Sequence, residues 1–246
     1  MSSIWNIIFY QPIYNGLIFT VSNITFGDVG FAVIFITVLV KLIISPLTER
    51  SIKSQVLMKK MEPELKLIKK EFPNKEEQSR KTFELYKKYG TNPFSGCLVV
   101  LIQLPVILAL YWVFRKGVSI DPSLIYHFIN IPVNIHTKFL GLIEMESTRS
   151  IVLALFAGLS QFAQGYLASP IKPKVEVVKE MPKEAPTFQD QLSDSMQMNI
   201  RYVLPVFIAF IAYQLSAAVA LYWIVSNIFT IVQEWYIRKQ LEKKTI

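Results

Sequence analysis

The sequence predicts an all-α integral membrane protein with five transmembrane helices and a cytoplasmic helical hairpin, on three observations. Residues of hydrophobic type make up 52% of the chain and mean hydropathy is +0.37, yet 18% of residues are charged. The apolar residues are gathered into runs of bilayer length. The lysines and arginines fall mainly in alternate connections between those runs. Such a chain is too apolar for an ordinary soluble domain and too charged to be membrane throughout, so the two characters belong to different segments. A crossing takes about 20 mostly apolar residues, because a helix of that length satisfies its own backbone hydrogen bonds in hydrocarbon.

Residues 1–27 are expected outside the membrane. Ile4 to Ser22 is apolar enough to be a further span, but Pro12 lies in its middle and Asn6, Gln11, Asn15 and Asn23 interrupt it. An interfacial helix on the outer surface is the favoured reading, with a span as the alternative. Span 1, residues 28–48, centres on VGFAVIFITVLVKLIISPLT (Val29 to Thr48) and is expected to end at Pro46 and the charges that follow. Residues 49–93 read as a cytoplasmic helical hairpin. Ile52, Val56, Met61, Leu65, Ile68 and Phe72 form an apolar stripe on a basic surface, and Pro73 and Asn74 break it. A second helix from Lys75 to Tyr89 presents Phe83, Tyr86 and Tyr89, with Gly90 as its stop.

Span 2, residues 94–116, carries Pro105, which neighbouring helices can accommodate. The outer segment 117–149 contains Pro122 and Pro132 and is expected to lie against the membrane surface. Span 3 occupies residues 150–168 and stops at Ser169 and Pro170. In the linker 169–201, prolines 170, 173, 182 and 186 alternate with Lys and Glu, a composition that does not fold alone; Phe188, Leu192 and Met196 fit a short amphipathic helix. Tyr202 to Tyr236 would reach about 50 Å as one helix, too long for one crossing. It is expected to fold back near Gln214 to Ala218 into span 4 (202–216) and span 5 (217–236), before a basic tail at 237–246. Arms this short imply a locally thinned bilayer.

Segment 49–93 holds twelve Lys and Arg residues, 169–201 five, and the tail after Tyr236 four; 115–149 holds four and the stretch before Val29 none. The positive-inside rule therefore places the N-terminus outside and the C-terminus in the cytoplasm. Met1 to Gly27 has no charged side chain, so no cleavable signal peptide is expected. The single cysteine, Cys97, reads as a small packing residue.

No catalytic constellation is evident. His127 and His136 lie nine residues apart without a ligand set around them, which argues against a metal, and no phosphate loop or nucleophile elbow is present. An enzyme and a bound cofactor are both unexpected. Lys41 is the residue that demands an explanation, since it lies about seven residues, roughly 10 Å, inside the cytoplasmic end of span 1. Its charge either snorkels to the interface or faces a water-filled cavity. Gln103 in span 2, Gln161 and Gln164 on one face of span 3, and Asn227 and Thr230 in span 5 raise the second reading. Each alone is helix-to-helix glue worth about 1 kcal/mol; with a cation and no acid within the spans to neutralise it, together they point to a polar interior.

These residues also carry a resemblance. Val40-Lys41-Leu42-Ile43-Ile44-Ser45-Pro46-Leu47-Thr48, Met61-Glu62-Pro63-Glu64-Leu65, Asn92-Pro93-Phe94-Ser95-Gly96-Cys97 through Ile102-Gln103-Leu104-Pro105 to Ala109-Leu110-Tyr111-Trp112, and Leu221 to Gln233 stand in the order and spacing of the YidC family of insertases. The resemblance covers about residues 12–238, with the linker 170–195 lacking a clear counterpart. It implies a five-helix core around a groove open to the cytoplasm and closed outside, in a bacterial plasma membrane. Nascent membrane proteins would be the clients, the Sec translocon and the ribosome the partners, and DNA not. Lys41 matches a groove position that usually holds arginine; lysine keeps the charge but loses the planar five-donor fork. Ser216-Ala217-Ala218-Val219 stands where the family usually has proline and glycine. The competing function is a small-solute (anion) transporter or channel, which would call for internal repeats that the sequence does not show.

Overall fold

A computed structural model describes residues 3–91, 95–115, 121–132, 134–168 and 199–243. The linker with its amphipathic stretch at Phe188, Leu192 and Met196 falls outside them. The described chain is mostly helical. Ser3–Trp5 and a π-helical Asn6–Tyr10 lead into α1 (Gln11–Asn23). Then come α2 (Val29–Glu71), α3 (Lys75–Tyr89), α4 (Ser95–Arg115), a two-stranded hairpin β1 (Lys138–Phe139) and β2 (Ile143–Glu144), α5 (Ile151–Ala168), α6 (Leu204–Gln214) and α7 (Ala217–Lys243). Among the described residues, two helical stretches are long and apolar enough to cross a bilayer, Val29–Met58 and Ala217–Leu241; Gln103–Arg115, Ile151–Leu167 and Arg201–Gln214 are shorter apolar helices.

The chain forms two compact units, one of residues 1–39 and 108–231, the other of residues 40–107 and 232–246. In the first, α1 buries Ile13, Tyr14, Leu17, Ile18 and Val21 while leaving Ile4, Ile7 and Ile8 before it exposed. The segment is thus seated on protein along one face. Its buried Asn15 acts as a clamp, donating to Leu124 O and accepting from Tyr126 N, each at 2.8 Å. Helices α5 and α6 pack tightly because α5 offers small residues: Ala154 and Ala157 are buried, and a Cβ on Gly158 would lie 2.8 Å from Ala209 Cβ and 3.2 Å from Pro205 O. This is the close approach that small residues allow where no hydrophobic drive separates helix from lipid.

The break between α6 and α7 is set from outside the local sequence. Leu215 leaves the helix with ψ 174°, and the outer segment then grips both sides of the break: Arg149 N donates to Tyr213 O, Ala217 N to Ser147 O and Ala218 N to Met145 O, at 2.8–3.0 Å. Upstream, His136 N donates to Gly27 O and Val29 N to His136 O, which ties the same segment to the start of α2. Non-helical backbone at membrane depth survives only where its polar groups find protein partners, and these do.

Helix α2, which enters the second unit at Val40, runs on through Pro46 and Pro63 as one helix of 43 residues, so the helix itself continues past the expected end of span 1. Proline removes one donor and crowds the preceding turn, which bends a helix without necessarily stopping it when its flanks are held. Here they are: Thr48 Oγ1 bonds Ile44 O at 3.1 Å and Gln233 Nε2 bonds Ser45 O at 3.1 Å. The hairpin turns at Pro73 and Asn74, where the Asn74 side chain caps α3 by accepting from Glu76 N, and Gly90 closes α3 with φ 61°. Ile52 and Met61 of the expected stripe are buried. On α3 the buried side chain is Leu85, with Tyr86 and Tyr89 half-buried beside it, while Phe83 is 61% exposed. Glu64 joins the two arms, accepting from Tyr89 OH and, at 3.2 Å, from Lys88 Nζ.

Two consequences can be measured. Gly158→Val forces α5 and α6 apart and should lower stability by about 1–3 kcal/mol, read as a lower melting temperature in detergent. The hydrogen bonds from Tyr89 and then Lys88 hold the Glu64 carboxyl below its usual range. A carboxylate with a depressed folded pKa stabilises above its unfolded value, about 4.3, and loses that contribution as pH falls through the folded value. Hydrogen exchange at Lys88 and Tyr89, corrected for intrinsic rates, should therefore accelerate over that acid range in the wild type, and Glu64→Gln should flatten the change.

Candidate functional site

Lys41 is 6% exposed on α2, and two polar residues share its face: Ser45 and Thr48 lie within about 40° of it at roughly 100° per residue, and Thr48 is buried too. Ser51 and Ser54, each also under 9% exposed, turn progressively off that line, to about 80° and 140° from Lys41. Only Lys41 of these was flagged by the sequence; the hydroxyls are individually unremarkable, and the register of Ser45 and Thr48 with Lys41 is the signal that could have found them.

Other side chains of the same unit add to the polar set. Gln233 of α7 spends its amide on Ser45, bonding the carbonyl at 3.1 Å and Oγ at 2.9 Å, which fastens the C-terminal part of α7 to α2 one turn from Lys41. Glu234 beside it is 4% exposed, with Oε1 3.8 Å from Arg238 Nη2 and Oε2 buried without a hydrogen-bond partner among the described residues. The sequence reading held that no acid lies within the spans and so missed Glu234, which sits two residues inside the expected end of span 5. Further along α2, Ser54 Oγ meets Thr91 Oγ1 at 2.5 Å. Gln103, on α4, has its Nε2 buried with no hydrogen-bond partner among the described residues.

The remaining candidates belong to the other unit and come together in pairs. Asn227 Nδ2 of α7 donates to Ser160 Oγ of α5 at 3.1 Å, so Asn227 joins two helices. Gln161 Nε2 donates to Gln164 Oε1 at 3.1 Å, and both stay on one face of α5. Thr230 Oγ1 donates back to Ser226 O at 2.9 Å within its own helix. Gln161 and Asn227 are buried, at 8% and 7% exposure. The opposite face of α5 is apolar and open: Ile151, Val152, Leu155, Phe156 and Leu159 are all more than half exposed, and so are Ile228, Val232 and Trp235 of α7. Polar inward and apolar outward is the inverse of a soluble helix and fits a lipid surround. Among the described residues no group of three or more His, Cys, Asp or Glu is placed to hold a metal ion.

The arrangement has relatives. The model of the 60Kd inner membrane protein family matches residues 21–244. The membrane protein insertase YidC of Fusobacterium nucleatum is 32% identical over 216 residues, which is 87% of this chain and 88% of the relative. That of Oceanobacillus iheyensis is 29% identical over 248 residues, 98% of this chain and 86% of the relative. That of Actinobacillus pleuropneumoniae is 30% identical over 244 residues, but there the chain spans only 38% of a longer protein. Among solved structures, an active YidC insertase crystal structure with the first transmembrane domain resolved superimposes with a TM-score of 0.55 at 20% identity, over 94% of this chain and 46% of that one. That likeness is one of fold. With the family match running through nearly every described helix and the residue blocks around Lys41, Gln103 and Asn227 inside it, the chain belongs to the YidC family of membrane proteins.

Proposed function

We propose that this protein is a membrane protein insertase and chaperone, which lets short polar segments of nascent membrane proteins cross the bilayer by way of a hydrated groove lined by Lys41, Gln103, Gln161, Gln164, Asn227 and Thr230. The observation that carries the proposal is the buried Lys41, with Ser45 and Thr48 on its face, on a helix of membrane-spanning composition in a chain whose relatives are named insertases. In this reading α2, α4, α5, α6 and α7 are the five spans, the N-terminus is outside, and the hairpin and tail are cytoplasmic in a bacterial plasma membrane. Ribosomes and the Sec translocon are the partners that suit the basic hairpin, since a surface of positive charge attracts ribosomal RNA.

The barrier to moving a polar tail is desolvation across about 30 Å of hydrocarbon. A groove that carries water part of the way shortens the path. The apolar helix Arg201–Gln214 that ends in α6 reaches only about 20 Å, short of a bilayer of full thickness, so lipid beside it is thinned and the path shortens again. Lys41 attracts acidic groups in the tail. The client's apolar segment meanwhile slides along the exposed apolar faces of α5 and α7, and its burial in lipid drives release. No step needs a nucleotide or a bound cofactor.

Reconstitution tests this. Liposomes holding wild type, Lys41→Arg or Lys41→Ala are given a single-span substrate with an acidic N-terminal tail. Lys41→Ala should reduce insertion about three- to tenfold, the factor set by an attraction of roughly 1 kcal/mol, while Lys41→Arg keeps most of it and a neutral-tailed substrate is little affected. Equal insertion by all three would leave Lys41 structural. Flux of a small anion without insertion would mean a transporter instead.

A further inference from the structure

We infer that the outer hairpin β1–β2, together with Phe26, is a wedge that inserts into the outer leaflet of the bilayer and fixes the depth at which the outer end of α2 sits. This rests on α2 being a membrane span, and not on insertase activity. The starting observation is conformational. Leu140 and Gly141 have φ of 53° and 71°, and Leu142 N bonds Phe139 O at 3.0 Å, so the hairpin turns through two consecutive residues in the left-handed region. Turns of this kind favour Asn-Gly, since an L side chain at positive φ is strained and a bulky one more so. Phe26 is likewise held at φ 51°.

Neither side chain is repaid by burial in protein: Leu140 is 62% exposed, Leu142 84% and Phe26 92%. Strain accepted in order to display large apolar groups calls for an apolar medium to receive them. The position of the wedge says which medium. Phe139 of β1 seats on Gly30, where a Cβ would come within 2.2 Å of its ring, and it meets Phe31 edge-on at 5.2 Å. Phe31 begins a line of exposed apolar side chains on α2 that continues through Phe35 and Leu39, each 41–45% exposed. The wedge therefore continues a lipid-facing stripe at its outer end, and lipid is the occupant that both surfaces share.

The test places a cysteine at Leu142, Phe26 or, as an outer-surface control, Ser123 in a Cys97→Ala background, labels each with an environment-sensitive fluorophore, and reconstitutes the full chain in vesicles of phosphatidylethanolamine and phosphatidylglycerol. Leu142 and Phe26 labels should show a blue shift and lose the larger part of their emission to spin-labelled lipids carrying the nitroxide near the headgroup, while the Ser123 label stays water-like. Leu140→Asn, which suits the turn, should keep or raise the detergent melting temperature yet move the Leu142 label toward water. Water-like emission from Leu142 and Phe26 in these vesicles overturns the inference. Shielding that appears only in native membranes also overturns it, and identifies a protein partner as the occupant.

Discussion

A lysine buried inside a helix otherwise fit for hydrocarbon is the constraint that organises this molecule. An ammonium cannot be left against acyl chains without a cost of several kcal/mol, so everything near Lys41 has to offer it polarity or water. Ser45 and Thr48, on its face of α2, do so without adding charge. A hydroxyl in a helix can satisfy itself against the carbonyl a turn before, as Thr48 does against Ile44 O at 3.1 Å, so a polar face costs little when the helix folds. The Gln233 bond to Ser45 then holds the C-terminal part of α7 against this face rather than leaving the pairing to nonspecific apolar contact. In a membrane such contact discriminates poorly, because lipid tails compete with it on equal terms.

The same logic governs the outer side. Residues 121–149 have little regular structure, and in or near a bilayer irregular backbone must be satisfied by protein. It is satisfied by stitching: Asn15 to Leu124 and Tyr126, His136 to Gly27 and Val29, Met145 to Arg149 across the break at Leu215. The stitches at His136 and at Ser147 and Met145 use backbone groups of the loop to begin a helix elsewhere, at Val29 and at Ala217, so those helix ends and the loop are mutually dependent. On the insertase reading this dependence is also the seal that keeps a water-bearing groove from becoming a channel.

What could be read from the sequence follows from how local each determinant is. The apolar runs, the turn at Pro73 and Asn74 and the stop at Gly90 depend on a few adjacent residues, and α3 begins and ends where they indicate. The continuation of α2 through Pro46 does not, since it rests on Thr48 and on Gln233, the latter 188 residues away from Ser45. The fold-back at Leu215 falls within the expected Gln214 to Ala218, where Gln214 and Ser216 interrupt the apolar run, and Ser147 and Met145 secure it through Ala217 and Ala218. Leu85 is the single aliphatic residue of α3 and so sets no periodicity of its own. Of the candidate site, the cation and the amides were legible because they are rare in apolar runs. The serines and threonines were not, because such residues are common in helices and mean something only in register.

That register bears on selectivity. A guanidinium at residue 41 would offer a flat fork able to grip a carboxylate in one geometry, whereas an ammonium offers a compact charge and three rotatable donors. On its face the Thr48 hydroxyl is committed to the protein's own Ile44 carbonyl, and so competes weakly for a particular ligand. What remains is attraction without shape. A binding site built that way discriminates badly between acidic groups and releases them easily, both of which would be faults in a receptor. For the groove proposed above, which would pass polar tails of unrelated sequence and hold none of them once the following helix has found lipid, they are requirements.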